Sequence, residues 1–166
     1  MQWRTLIQKS DAEAVRALVA DTGFFSDEEL LVAVELVDET LARGKASGYE
    51  FLFLDQPDRP GSLLGYTCYG LIPATESSFD LYWIAVSPHC QGQGLGAKLM
   101  RESERLARAS GATQMYADTS ASEQYTPTRA FYERMGYEKA AVLKNFFAAG
   151  DHKVIYARQL GAGQLG

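Results

Sequence analysis

"FDLYWIAVSPHCQGQGLGAKL", residues 79–99, decides the fold. Its first half is rich in aromatic and β-branched residues and alternates in polarity, the pattern of a strand. Its second half places Gly92, Gly94 and Gly96 within five positions and runs into a helix, Gly94 to about Ala109, with Leu95, Leu99 and Leu106 on one side. Glycines at such a junction let the backbone turn tightly and approach a ligand with no Cβ in the way. The first amides of a helix have no intrahelical partners, and the helix dipole adds partial positive charge there, so an anion suits this place. No Gly-Lys-Ser/Thr follows, which excludes a Walker loop. A dinucleotide fingerprint fits poorly, because three strands and two helices come first.

Working outward, Ser10 and Glu13 stand at capping-box spacing and predict a short helix to about Ala20; Ser26 and Glu29 repeat the signal. Leu30, Val34, Val37 and Leu41 then form one apolar stripe of a second helix that Gly44 can end, with Glu28, Glu35 and Glu39 on a solvated face. The period changes at "YEFLFLD" (49–55), "SLLGYTCYGLI" (62–72) and "SFDLYWIAVSP" (78–88), three strands separated by turn-rich breaks and read as an antiparallel meander. After the glycine loop and its helix, "ATQMYAD" (112–118) predicts a strand parallel to 78–86, since a helix crosses between them. Thr126 is expected to cap a helix with Pro127 at its first position and Gly136 at its end. Strands near 137–147 and 152–159 close the chain. The order α-α-β-β-β-α-β-α-β-β, with room for a short first strand within 2–8, is an α/β fold on a single mixed, mostly antiparallel sheet flanked by helices. Residues 1–160 are expected to form a single domain and "GAGQLG" (161–166) a frayed tail.

Composition narrows the function classes. The chain has 166 residues, enough for a full core, and no apolar run near the ~20 residues that a membrane span requires. The N-terminal stretch lacks the layout of a secretion signal, so a cytoplasmic address is expected. Cys68 and Cys90 make no disulfide framework, and with two histidines they make no zinc site; no metal is expected. A net charge of −5 without a basic block argues against nucleic acid. Mild acidity maintains solubility and also favours a cationic substrate such as an amine.

Gln91-Gly92-Gln93-Gly94-Leu95-Gly96 resembles Q/R-x-x-G-x-G/A, the acetyl-CoA pyrophosphate motif of the GNAT N-acetyltransferases. "TRAFYERMGYEK" (128–139) resembles a second signature of that family, the A-x-x-F/L-Y-x-x-x-G-F/Y helix. Both fall in the family's order, and the element order matches over nearly the whole chain. The resemblance implies a GNAT fold and an acetyl-CoA-dependent N-acetyltransferase, with acetyl-CoA as co-substrate. It implies coenzyme contacts from Gln91, Gly92, Gln93, Gly94, Leu95 and Gly96, and from the strand backbone at Ile84, Ala85 and Val86. Where many members carry Asn seven residues before the helix tyrosine, this chain has Tyr125; Thr128 or Ser120 is the alternative contact. Arg129 is either a phosphate ligand or a solvated helix residue.

The chemistry such an enzyme faces is definite. An alkyl amine with a pKa near ~10.4 is neutral in about one molecule in 10³ at pH 7, a mismatch of about 4.6 kcal/mol that a base relieves. The leaving thiolate benefits from a positioned acid, and the oxyanion from N–H donors. By the resemblance, Tyr132 is the acid whose phenol points at the coenzyme sulfur. Phe131 and Met135, one turn apart, are expected to leave Tyr132 on a different flank, free for a polar task. Asp80 is the candidate base, placed where some members hold a catalytic glutamate; alternation puts it on one face with Tyr82 and Ile84. Glu76, Tyr82 or water are the alternatives. Cys90 has no His–acid partner and is read as a bystander, and His152 as structural.

For the acceptor, "LKNFFAAGDHKVIYAR" (143–158) resembles the last hairpin of the ribosomal-protein N-terminal acetyltransferases, with an aromatic pair at Phe146 and Phe147. The strand after Gly111 lacks the glutamate those enzymes use; Met115, Tyr116 and Asp118 stand there. A small molecule or amino acid is favoured over a peptide N-terminus, on the view that the loop 119–127 narrows the groove. A homodimer is compatible with this reading, and a membrane or nucleic-acid partner is not expected. Two other classes remain: a non-catalytic acyl-CoA-binding sensor, and a nucleotide-binding module that would take ATP or NAD.

Overall fold

Arg4 explains why the chain opens with a strand. In the computed structural model, which describes residues 1–161, its guanidinium is shared between Asp55 (2.9 Å from both Nε and Nη2) and Asp11 (2.8 Å from both terminal nitrogens). Strand β1 (Gln2–Arg4) is thereby tied to strand β2 (Glu50–Asp55), its antiparallel partner, and to helix α1 (Asp11–Asp21). The same Asp11 accepts from the Gln8 amide at 2.6 Å. This is why the capping box expected at Ser10 and Glu13 does not form: Ser10 is already helical (φ −70, ψ −13) and makes no side-chain cap. The second box does form. Ser26 Oγ accepts from the Glu29 amide, Glu29 accepts from the Ser26 amide, and helix α2 (Asp27–Arg43) runs until Gly44. Its buried stripe is Ala33, Val34, Val37 and Thr40, turned from the expected one, so that Leu30 is half-buried and Leu41 exposed.

Strands β3 (Leu63–Leu71) and β4 (Ser78–Val86), helix α3 (Leu95–Ala109), strand β5 (Gln114–Ser120), helix α4 (Thr126–Arg134) and strands β6 (Glu138–Ala148) and β7 (Asp151–Gln159) complete the chain. The seven strands join one mixed sheet in the order β1-β2-β3-β4-β5-β7-β6. The meander is present: β2 pairs antiparallel with β3, and β3 runs against β4, since Ser87 N donates to Leu64 O and Ile72 N to Ser78 O. As expected from the crossing helix, β5 is parallel to β4, in a register from Ser78↔Gln114 to Leu81↔Ala117. Strand β7 inserts between β5 and β6, pairing antiparallel with both.

The chain packs as two compact units, one of Met1–Gly70 with Trp83–Ser103 and one of Leu71–Tyr82 with the chain from Glu104 onward. The first is centred on stacked Phe51, Phe53 and Tyr66, with Val15, Val19, Val37, Leu99 and Met100 enclosed. Each such side chain contributes about 1.5–3 kcal/mol on burial. A hydroxyl pair, Thr67–Ser103 at 2.6 Å, joins β3 to α3 inside it. The second unit buries Met115, Ala117, Val154 and Tyr156 on one face of β5 and β7. Among the described residues no helix is long and apolar enough to cross a membrane. The expected tail lies, beyond Gly161, outside the described residues.

Candidate active site

In the first unit, β4 ends at Val86 and a short 3-10 turn (Pro88–Cys90) leads into the glycine loop. Gln91, Gly92, Gln93 and Gly94 are exposed, whereas Leu95 is buried and anchors the start of α3; Gly96 is half-buried. Gly92 (φ +79) and Gly94 (φ +74) adopt the left-handed backbone that disfavours side chains, and a Cβ at either would meet open space. That geometry leaves the amides of a fifteen-residue helix facing a clear approach, which fits a pyrophosphate. Ala85 is buried, and Ile84 and Val86 are half-buried at the end of β4. Cys90 is a free thiol; Cys68 is buried, and burial pushes its thiol well above the usual range.

In the second unit, Asp80 lies on β4 between buried Phe79 and Leu81 and pairs in register with Tyr116. Burial, reinforced by the charge of Asp118 and opposed by Lys153, pushes its carboxyl up to about 6. Lys153 of β7 donates to Asp118 at 3.0 Å and lies 4.4 Å over the Phe146 ring. Alternation puts Asp80, Tyr116 and Asp118 on one face of the sheet. Glu76 is exposed in the turn before β4, and Tyr82 is half-buried.

Tyr132 is the buried residue of α4. The flank expected to be free is the one the helix buries, because the rings of Tyr137 and Tyr156 pack at 5.9 and 5.7 Å. Tyr156 is the cross-strand partner of Ala117, so Tyr132 lies against the sheet face opposite to Asp80. Its phenol makes no hydrogen bond among the described residues. Burial first, and the charge of Asp118 second, raise it well above the usual phenol range. Asp118 is thus felt by both Asp80 and Tyr132, a role that motif reading missed although the alternation of β5 carried the signal.

Several expectations change at the segment before α4. Thr126 is the first helical residue and not the cap; Tyr125 occupies that place without a side-chain cap, and Pro127 stands second in the helix, one position later than expected. Arg129 is half-buried and tied to the segment before the helix: Nη1 donates to Ser120 O and Ser122 O, both at 2.7 Å, and Nη2 to Thr126 Oγ1. The Ser120 hydroxyl is committed to Asp151. Thr128, half-buried in the first turn of α4, is the remaining alternative contact. His152 Nδ1 accepts from the Asn145 amide at 2.9 Å, bracing the β6–β7 hairpin. Phe146 and Phe147, 53% and 52% exposed, meet edge to face beside it.

With this geometry in hand, comparison with known proteins is specific. The Acetyltransferase (GNAT) family profile matches residues 13–137. A protein of Desulfovibrio desulfuricans assigned to that family is 48% identical, with 96% of this chain and 99% of that one covered and a TM-score of 0.93. At the level of fold, an aminoglycoside 6'-N-acetyltransferase complexed with coenzyme A is similar (16% identity, 96% and 97% covered, TM-score 0.73). So is the ribosomal-protein-S18-alanine N-acetyltransferase of Escherichia coli (20% identity, 99% and 97% covered, TM-score 0.71). A search of curated proteins returned no match. The chain belongs to the GNAT family of acetyltransferases.

Proposed function

We propose that residues 1–160 act as one acetyl-CoA-dependent N-acetyltransferase domain, moving the acetyl group to a primary amine by direct attack in a ternary complex. In this reading the amides of Gln91–Gly96 hold the pyrophosphate, the backbone of Ile84, Ala85 and Val86 and the hydroxyl of Thr128 hold the pantetheine arm, Asp80 takes the amine proton, and Tyr132 serves the leaving sulfur. The observation that carries it is the pairing of unlike groups around Asp118: a carboxyl with a pKa near the working pH and a buried phenol with no partner of its own. Perturbed groups of complementary kind in one place are the signature of acid–base chemistry.

The magnitudes define each role. Proton transfer from an ammonium at ~10.4 to a carboxylate at about 6 is uphill by roughly 6 kcal/mol, about 3 less than to an ordinary carboxylate. Asp80 therefore receives the proton as the new C–N bond forms and the nitrogen becomes acidic. Tyr132 retains its own proton throughout, because its raised pKa lies above the ~8.5 of a thiol. It donates a hydrogen bond to the developing thiolate, and that interaction strengthens as charge builds on the sulfur.

A small molecule or amino acid is the preferred acceptor. The exposed Phe146–Phe147 pair, with Lys153 held over Phe146, favours a second reading in which a peptide N-terminus is acetylated. Free-thiol release from acetyl-CoA across a panel of small amines, amino acids and N-terminal peptides tests both. Release with small amines supports the first reading and release with peptides alone the second. Acetyl-CoA binding without turnover on any acceptor indicates a sensor, and displacement of the coenzyme by ATP or NAD a nucleotide module.

A further inference from the structure

The helix that carries Tyr132 ends in a way that bears on Tyr132 itself. Gly136 (φ +89) closes α4 with two reversed bonds, Tyr137 N to Tyr132 O and Gly136 N to Glu133 O, both at 3.0 Å. This is the Schellman arrangement, in which the residue after the glycine folds back on the residue five positions earlier. The pair it brings together is Tyr137 and Tyr132. The hydroxyl of Tyr137 donates to Glu104 Oε1 at 3.0 Å, and Glu104 Oε2 accepts from Arg158. Glu104 is 2% exposed, so this anchor is enclosed within the unit, on the face of β7 away from Asp80. Arg158 in turn borders the glycine: a Cβ at position 136 would lie 3.4 Å from its Nε. Tyr156 likewise donates to Glu133 at 3.0 Å while its ring packs on Tyr132.

A residue whose only role is to fill space needs no hydroxyl anchored to a buried ion pair. The family signature accepts Phe or Tyr after the glycine, so packing alone is met by either. We propose that Tyr137, held through Glu104 and Arg158, is the positioning residue for Tyr132, fixing the ring so that its phenol meets the sulfur in line. The proposal rests on the reading of Tyr132 as the group serving the leaving sulfur. Small displacements of a reacting group are expensive in rate, and a ring packed against two neighbours whose hydroxyls are anchored is spared them.

The test compares Tyr137→Phe, Tyr132→Phe and the double variant, each measured for kcat, for coenzyme Kd by calorimetry and for thermal midpoint. The Tyr137→Phe ring is unchanged, so the variant is expected to fold, with its midpoint lowered by a few degrees for the lost bond to buried Glu104. Its kcat should fall about tenfold with coenzyme Kd within twofold, the split expected of a group acting in the transition state. In the Tyr132→Phe background, loss of the Tyr137 hydroxyl should then cost less than twofold, because nothing is left to position. Unchanged kcat in Tyr137→Phe, equal losses in both backgrounds, or a Kd that worsens in step with kcat would each overturn the proposal. If Tyr132→Phe alone is fully active, the reading of Tyr132 fails and the positioning role with it. If Tyr132→Phe is impaired and Tyr137→Phe is not, only the positioning role fails.

Discussion

Replacing Asp80 with Asn should make the protein less active and more stable. A base at this place must be deprotonated to work, and its burial beside Asp118 opposes deprotonation. Its pKa rises from 3.8 in an unfolded chain to about 6 in the folded one. The folded state therefore binds the proton more tightly, and stability falls as pH rises from about 4 to about 6. Above that window the charged form costs about 3 kcal/mol before screening, and about 1–2 kcal/mol at a partly exposed carboxyl. Asp80→Asn abolishes the cost, so chemical denaturation at pH 7.5 should show a gain of about 1–2 kcal/mol that vanishes near pH 4. Turnover at pH 7 should fall roughly 10²-fold. Between pH 7 and 9 the variant should recover, because the neutral fraction of an amine near ~10.4 rises about tenfold per pH unit. In the wild type, kcat should climb with pH through a midpoint near 6. An active Asp80→Asn enzyme would move the base to Glu76, Tyr82 or water. A variant that loses both activity and stability would mean that Asp80 supports the strand and not the reaction.

Three further outcomes follow from the same geometry. Tyr132→Phe should lower kcat by about 10–10²-fold with coenzyme affinity nearly intact, measured side by side; parallel losses would make Tyr132 a packing residue. Gly94→Val forces a branched side chain into φ +74 and into the space before α3, so acetyl-CoA affinity by calorimetry should drop at least tenfold while the fold persists, and an unchanged Kd in folded protein would refute the loop assignment. Asp118→Asn should move the acidic limb of the kcat profile to lower pH and Lys153→Met should move it to higher pH, since the first removes a like charge from Asp80 and the second an opposite one; limbs that do not move would disconnect these residues from the base.

What the sequence disclosed depends on how local the cause is. The glycine loop, the Gly136 stop and the Ser26–Glu29 box are each set by residues within a few positions, and all three appear as read. Ser10 misleads because its competitor is remote: Arg4 and Asp55 organise Asp11, and Asp55 is 44 positions away from it along the chain. Arg129 is held from closer by, its Nη1 donating to carbonyls nine and seven positions earlier, which helical spacing does not report. The last two strands were legible as strands, yet not which of them lies inside. Val154 and Tyr156 give β7 a buried face, whereas β6 is exposed along almost its whole length. Motif position singles out Tyr132, but its surroundings are the inverse of those expected, because helical spacing reports which residues share a flank and not which flank the sheet covers.

The placement of the two groups across the sheet has a chemical consequence. Groups on opposite faces of a sheet cannot hydrogen-bond to each other, so neither is withdrawn from the reaction by the other. Here Tyr132 packs against the face of Ala117 and Tyr156, while Asp80 shares the other face with Tyr116 and Asp118. The ladder between β4 and β5 separates them, and its last registered pair is Leu81↔Ala117, one residue beyond Asp80. In the proposed reaction, an amine approaching from one face and a thioester from the other would meet where that ladder ends. In the proposed roles the charge of Asp118 would serve both halves, since it raises the pKa of Asp80 and that of Tyr132. Lys153 limits the first effect, and without it Asp80 would remain protonated at higher pH and the base would be lost sooner as pH falls. On this argument the Asp118–Lys153 pair sets the pH at which the enzyme begins to work, although neither residue needs to touch the acetyl group.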